Sequence, residues 1–259
     1  MRGSAGVMAL VLCETAAGGG ALLFCSPLWN EVKRGFFKLT GAILLALALA
    51  AWWAARSGMV PGNAAGRWSM SAAGVLALVT LAWVVLLFAR RDSAARALGF
   101  VSVVAGAGTL FAMAGTARQS YGIALFQLLA GAAFLGAVTD GLLLGHWYLT
   151  DRGLTRAPID RSTTALLAAV VVEAVAVISG GFGPVGETRA FNPLLTAGAL
   201  APWIALGMVA TTGLIAVMVR LTLRGARASA VQAATGFYYL AVITAFTAEV
   251  AAKVRFLPR

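Results

Sequence analysis

The chain is short of the residues that soluble enzymes and metalloproteins rely on. It holds one histidine, His146, and two cysteines, Cys13 and Cys25. A transmembrane b-type haem generally takes two axial ligands, so no haem is expected from this chain alone. The two cysteines share one apolar run, ~18 Å apart along a helix, too far for a disulfide. No CxxC pair occurs, so zinc and iron–sulfur ligation are not expected either. A P-loop, an HExxH pair, a nucleophile elbow and a paired-Asp metal motif are all missing. So is the carboxylate cluster that a lipid-processing enzyme would set near a head group. Lys253 falls at the end of the last apolar run, which leaves no mid-helix lysine for a Schiff base.

Charge is scarce too. Only 11% of the 259 residues are charged, less than half the share of an average soluble domain. Hydrophobic residues make up 61%, and the mean hydropathy is +0.89. A spanning helix needs ~20 consecutive apolar residues. Such runs recur here, separated by short polar breaks, as in 41–55 and 164–177. The bilayer core offers no water to backbone groups, so only helices or closed barrels cross it. A barrel would alternate polar and apolar residues over ~10-residue strands, and these runs do not. The expected fold is an all-α integral membrane protein of about eight transmembrane helices. It forms a single polytopic domain over residues 1–259.

The spans are placed at 6–27, 36–55, 68–89, 97–117, 121–149, 163–181, 194–219 and 231–252. Met1-Arg2 before an apolar run has the outline of a signal peptide. Leu12 is too large for a lipoprotein cleavage position before Cys13, and the segment is read as the first span. Pro202 falls inside the seventh span, where a kink is expected. Trp29, Trp52, Trp53, Trp68 and Trp147 stand near span ends, as an interfacial aromatic belt does.

The net charge of +11 sits in loops, which points to topology and anionic lipid head groups rather than nucleic acid. Loops after the odd-numbered spans hold twelve Lys and Arg, and those after the even-numbered spans hold four. The positive-inside rule places the first set in the cytoplasm and both termini outside. The expected location is a bacterial cytoplasmic (inner) membrane, crossed many times. Two weak internal echoes, RRDSAARALGF at 90–100 with RGARASAVQAATGF at 224–237 and AAGGG at 16–20 with LAGAA at 129–133, suggest a 4+4 duplication with parallel halves.

The candidates for function are ionisable residues inside apolar runs, which are costly there. Glu14 lies in the middle of the first span and Glu173 in the middle of the sixth. Asp140, His146 and Trp147 lie in the cytoplasmic half of the fifth. A neutral imidazole donates from one nitrogen and accepts at the other, which suits a quinone carbonyl and its protons. Asp140 and Trp147, seven apart, share a helix face, whereas Asp140 and His146 do not. Glu249 and Lys253 have the favourable i,i+4 order and are expected to form a structural pair.

The first expectation is therefore a membrane subunit of a respiratory or other redox complex. It would anchor partner subunits and bind a quinone through Asp140, His146, Trp147, Glu14 and Glu173. Eight helices with both ends outside is a plan similar to that of small membrane anchors of molybdenum-containing reductases. The likeness is one of topology and carries no residue. The alternatives are a proton-coupled transporter or proton pathway through Glu14 and Glu173, and a structural or assembly subunit of a large membrane complex.

Overall fold

The computed structural model describes residues 1–151, 153–182, 200–225 and 229–257. It is all-helical, with eight helices long and apolar enough to span a membrane. They are α1 (Gly3–Cys25), α2 (Arg34–Gly58), α3 (Ala64–Phe88) and α4 (Asp92–Ala114). The second four are α5 (Tyr121–Thr150), α6 (Ala157–Ser179), α7 (Leu200–Leu223) and α8 (Ser229–Lys253). A single helical turn, Leu28–Glu31, follows α1, and a 3-10 turn, Val254–Phe256, follows α8. The protein is a multi-pass membrane protein.

Local chemistry sets the helix ends. The Asn63 side chain accepts from the Ala65 N–H at 3.1 Å and caps α3. Asp92 and Asp160 stand in the first turns of α4 and α6, where the helix dipole favours an acid. Helix α6 starts six residues earlier than expected, because Pro158 falls in its first turn, where a missing N–H costs nothing. Helix α7 is described from Leu200, which puts Pro202 in its first described turn. The expected start at 194 lies outside the described residues, as do Arg152, Arg189, Arg227 and Arg259 of the charge count.

Helices α1 to α4 form one ring of neighbours: α1 on α2, α2 on α3, α3 on α4, and α4 back on α1. Helices α5 to α8 repeat that pattern, and α1 packs on α5 to join the rings. Each four-helix half thus packs with the same order of neighbours. Within the protein 78% of the apolar stretch of α1 and 61% of that of α5 is buried, against 33–44% for the other helices. Two central helices are therefore shielded from lipid and six surround them. Trp53 and Trp68 project outward at the span ends, as an aromatic belt requires.

The α1–α5 seam is drawn tight by small residues. The Gly18 backbone meets the Ala132 carbonyl, and Gly136 meets the Gly18 carbonyl and the Gly19 nitrogen. A Cβ at Gly18 or Gly136 would overlap the partner's backbone, so the close approach requires glycine. Polar side chains find partners inside the bundle. The Thr15 and Thr163 hydroxyls donate to the carbonyls one turn back at 2.7 and 2.8 Å. Thr163 also meets the Tyr238 hydroxyl at 3.1 Å, which ties α6 to α8.

Exposed ion pairs gather at the end where α1, α3, α5 and α7 finish, the end assigned to the cytoplasm. They are Lys33–Asp151 at 3.0 Å, Arg34–Asp92, Arg161–Glu31, and Arg220–Asp160 at 4.0 Å.

Candidate functional site

Among the described residues four carboxyl side chains are buried: Glu14, Asp140, Glu173 and Glu249. Three of them converge on one lysine. The Lys253 ammonium lies 2.8 Å from Glu14 Oε1 and 2.7 Å from Glu249 Oε2. It also donates to the Gln127 carbonyl at 3.1 Å. Three acceptors thus face an ammonium with three protons to give. The Glu173 carboxyl on α6 is within interaction distance of that of Glu249 on α8. The relative exposures are 0% for Glu14 and Glu249 and 1% for Glu173 and Lys253.

Four helices build this cluster, and two of them come from the seam. Helix α1 supplies Glu14, α5 supplies Gln127, α6 supplies Glu173, and α8 supplies Glu249 with Lys253 one turn later. Room for the carboxylates comes from Gly131. A Cβ there would lie 2.8 Å from Glu14 Oε1 and 2.9 Å from Glu249 Oε2. The register that matches AAGGG with LAGAA also sets Glu14 against Gln127. The two halves therefore bring corresponding positions of their first helices to the same lysine.

Proton bookkeeping constrains the site. Three carboxyls and one ammonium are neutral together only when two protons are shared among the carboxyls. A buried ionic group with uncompensated charge is costly. Glu14 Oε2, Glu173 Oε2 and Glu249 Oε1 are buried with no hydrogen-bond partner among the described residues. They are free to hold or accept those protons. A cavity of about 10 Å³ adjoins Glu173 and Lys253, lined also by Gln127, Val177, Pro202, Ala252 and Arg255. That is space for roughly one water. Arg255 in its lining is half-buried and bonded to the Gly181 carbonyl.

The remaining candidates lie elsewhere. Asp140 is nine residues beyond Gly131 on α5, ~13 Å further along the axis. It is 3% exposed, and neither carboxyl oxygen has a hydrogen-bond partner among the described residues. It lines a second cavity, of about 280 Å³, with Leu22, Cys25, Pro27, Leu28, Arg161 and Ser162. The tight Gly18–Gly136 crossing lies between this cavity and the lysine cluster. His146 is exposed on the outside of the bundle. Trp147 packs against Gly35 and Phe36 on α2. Neither lines the Asp140 cavity.

The structure thus brings Glu14 and Glu173 together and separates them from Asp140, His146 and Trp147. It also puts Glu249 and Lys253 at the centre of the site. Their pair forms as the spacing predicts, but it is buried and shared with Glu14 instead of closing on itself. The available signal was a lysine following three apolar turns of α8 with its only local acid one turn away. Nothing in that pattern names the acids on α1 and α6. No cluster of three or more metal-ligating side chains occurs among the described residues. Comparison with models of known families, with curated proteins and with solved structures found no match to this chain.

Proposed function

We propose that the protein is a proton-coupled transporter, with Glu14, Glu173, Glu249 and Lys253 as its proton-carrying element. One observation carries this reading: three membrane-buried carboxyls share one buried lysine at the seam of two matching four-helix rings. Intramembrane ionisable groups of this kind belong to proton relays and ion pathways. Transporters built from two repeats place such sites at the repeat interface. The site also holds more carboxyls than its single cation can neutralise, so protons must complete the balance.

In a bacterial cytoplasmic membrane with the basic loops inside, the cluster lies toward the outer face. Arg255 and the small cavity stand on that side of Glu173. The redox-subunit reading is supported less well. A quinone site would need Asp140, His146 and Trp147 around one ring, and these side chains face three different surroundings.

The test is proton movement. The purified protein is reconstituted in liposomes that trap a pH-sensitive dye, and a pH step is imposed across the membrane. Proton entry should exceed that of protein-free liposomes, and Glu173→Gln and Glu14→Gln should each slow it tenfold or more. Entry equal to that of protein-free liposomes, or unchanged in both variants, would reject the proposal. Native purification with a tightly bound quinone and redox partner subunits would favour the redox subunit instead.

A further inference from the structure

The Asp140 cavity has the chemistry of a binding site, and it takes no part in the lysine cluster. Its walls are largely apolar, from Leu22, Pro27, Leu28, Pro158 and Ala165. Its volume of about 280 Å³ is at the small end of the range for ligand pockets. One buried carboxyl stands in it with both oxygens unpartnered among the described residues. Burying a polar group without a partner costs free energy, and burying a lone charge costs more. A binding site is one reason for a protein to keep such a group.

The lining identifies the missing partner. An ionised carboxylate only accepts hydrogen bonds, so the ligand must bring donors. The one basic residue in the lining, Arg161, is already paired with Glu31. Its charge is balanced at the mouth, and Asp140 is the acid in the lining with no paired cation among the described residues. Against an ionised Asp140 a quinone carbonyl would set an acceptor against an acceptor. An ammonium group offers both charge and donors, and the apolar walls suit a hydrocarbon body.

We propose that this cavity binds a small amphipathic amine, with the ammonium on Asp140 and the hydrocarbon part against α1 and α6. The inference rests on the transport reading and names its substrate class: small, hydrophobic, monocationic amines. The seam at Gly18 and Gly136 lies between this site and the proton-carrying cluster, and α1 and α5 contribute to both, which gives a rigid link between them.

Equilibrium binding to the full chain in detergent tests it without any proton movement. The probes are phenethylamine and propylbenzene, its uncharged carbon isostere, followed by calorimetry. Wild type should bind phenethylamine at least tenfold more tightly than propylbenzene. Asp140→Asn should weaken phenethylamine binding tenfold or more and erase the preference. Ala165→Phe, which fills the cavity and leaves the charge in place, should abolish binding of both probes. Equal affinity for the two probes, no binding by wild type, or an unaffected Asp140→Asn would each overturn the inference. Should Asp140→Asn fail to fold, the probe pair and Ala165→Phe still decide it. Binding without proton flux would leave the amine site standing and reject the proton cluster. Proton flux without amine binding would do the reverse.

Discussion

Two buried acidic sites lie at opposite ends of the α1–α5 seam, and they handle buried charge in opposite ways. Around Lys253 the protein spends four helices to surround one ammonium with acceptors, and the space left holds about one water. Around Asp140 it leaves a carboxyl alone and opens a cavity beside it. The first arrangement is closed and balanced internally once two protons are bound. The second is open and unbalanced until something enters. Compensated charge with little space suits the storage and transfer of protons. Uncompensated charge with ample space suits recognition. The Gly18–Gly136 contact keeps the two apart.

The comparison is most easily broken at Lys253. In Lys253→Met, Glu14 and Glu249 lose the ammonium that pairs with both of them in a buried site. Removing one partner of a buried ion pair costs about 3–5 kcal/mol. The expected outcome is loss of folded protein, read as yield and thermal unfolding in detergent. Adding Glu14→Gln and Glu249→Gln to the same chain should recover most of the loss, because the stranded charges are gone. A Lys253→Met protein that folds and melts like wild type would show that the cluster is not held by charge.

Next is the barrier between the sites. Gly136→Leu drives a side chain into the Gly18–Gly19 backbone. Overpacking of this kind costs about 1–3 kcal/mol. Unfolding should move to lower temperature, with α1 and α5 forced apart. Leucine at Gly122, where a Cβ meets nothing, should leave the melting temperature unchanged. Equal behaviour of the two variants would mean that the seam is looser than its geometry.

Asp140→Asn sharpens the contrast from the other side. Its carboxyl has no partner to lose, so removing the charge strands nothing. The variant should melt at or slightly above the wild-type temperature, with a gain of up to about 1 kcal/mol. A marked loss of stability would reveal a structural partner for Asp140 and remove the difference between the two sites.

The fold was largely legible because lipid makes one demand, long apolar runs, and the sequence meets it eight times. The loops carry charge openly, and that charge sets the orientation expected of the helices. The errors at helix ends were local: Asp160 and Arg161 look like loop residues, yet Pro158 and Asp160 begin a helix well. The site was half legible. Glu14 and Glu173 stand out because a carboxyl in mid-span has no local explanation. Glu249 and Lys253 offer one, the i,i+4 pair, and that local explanation hid their long-range partners. The spacing of Asp140 and His146 already sets them on different faces of α5, but which face meets α6 and which meets lipid depends on packing, and the bundle turns His146 outward.

The smallest effect tests the frame of the comparison, that burial and not pairing decides what a charge contributes. Glu31 and Arg161 form an ion pair at the mouth of the Asp140 cavity, with side chains 32% and 43% exposed. Water screens both groups and holding two long side chains together costs entropy, so such pairs contribute about 0–1 kcal/mol. A double-mutant cycle with Glu31→Gln and Arg161→Gln, read by thermal unfolding in detergent, should give a coupling within that range. It should shrink further in high salt, as exposed electrostatics do. The same cycle with Glu14→Gln and Lys253→Met should give a coupling several times larger and nearly independent of salt, because no solvent reaches that pair. Equal couplings in the two cycles would mean that the cluster at the seam is as well hydrated as the surface, and the division into a closed site and an open one would fail.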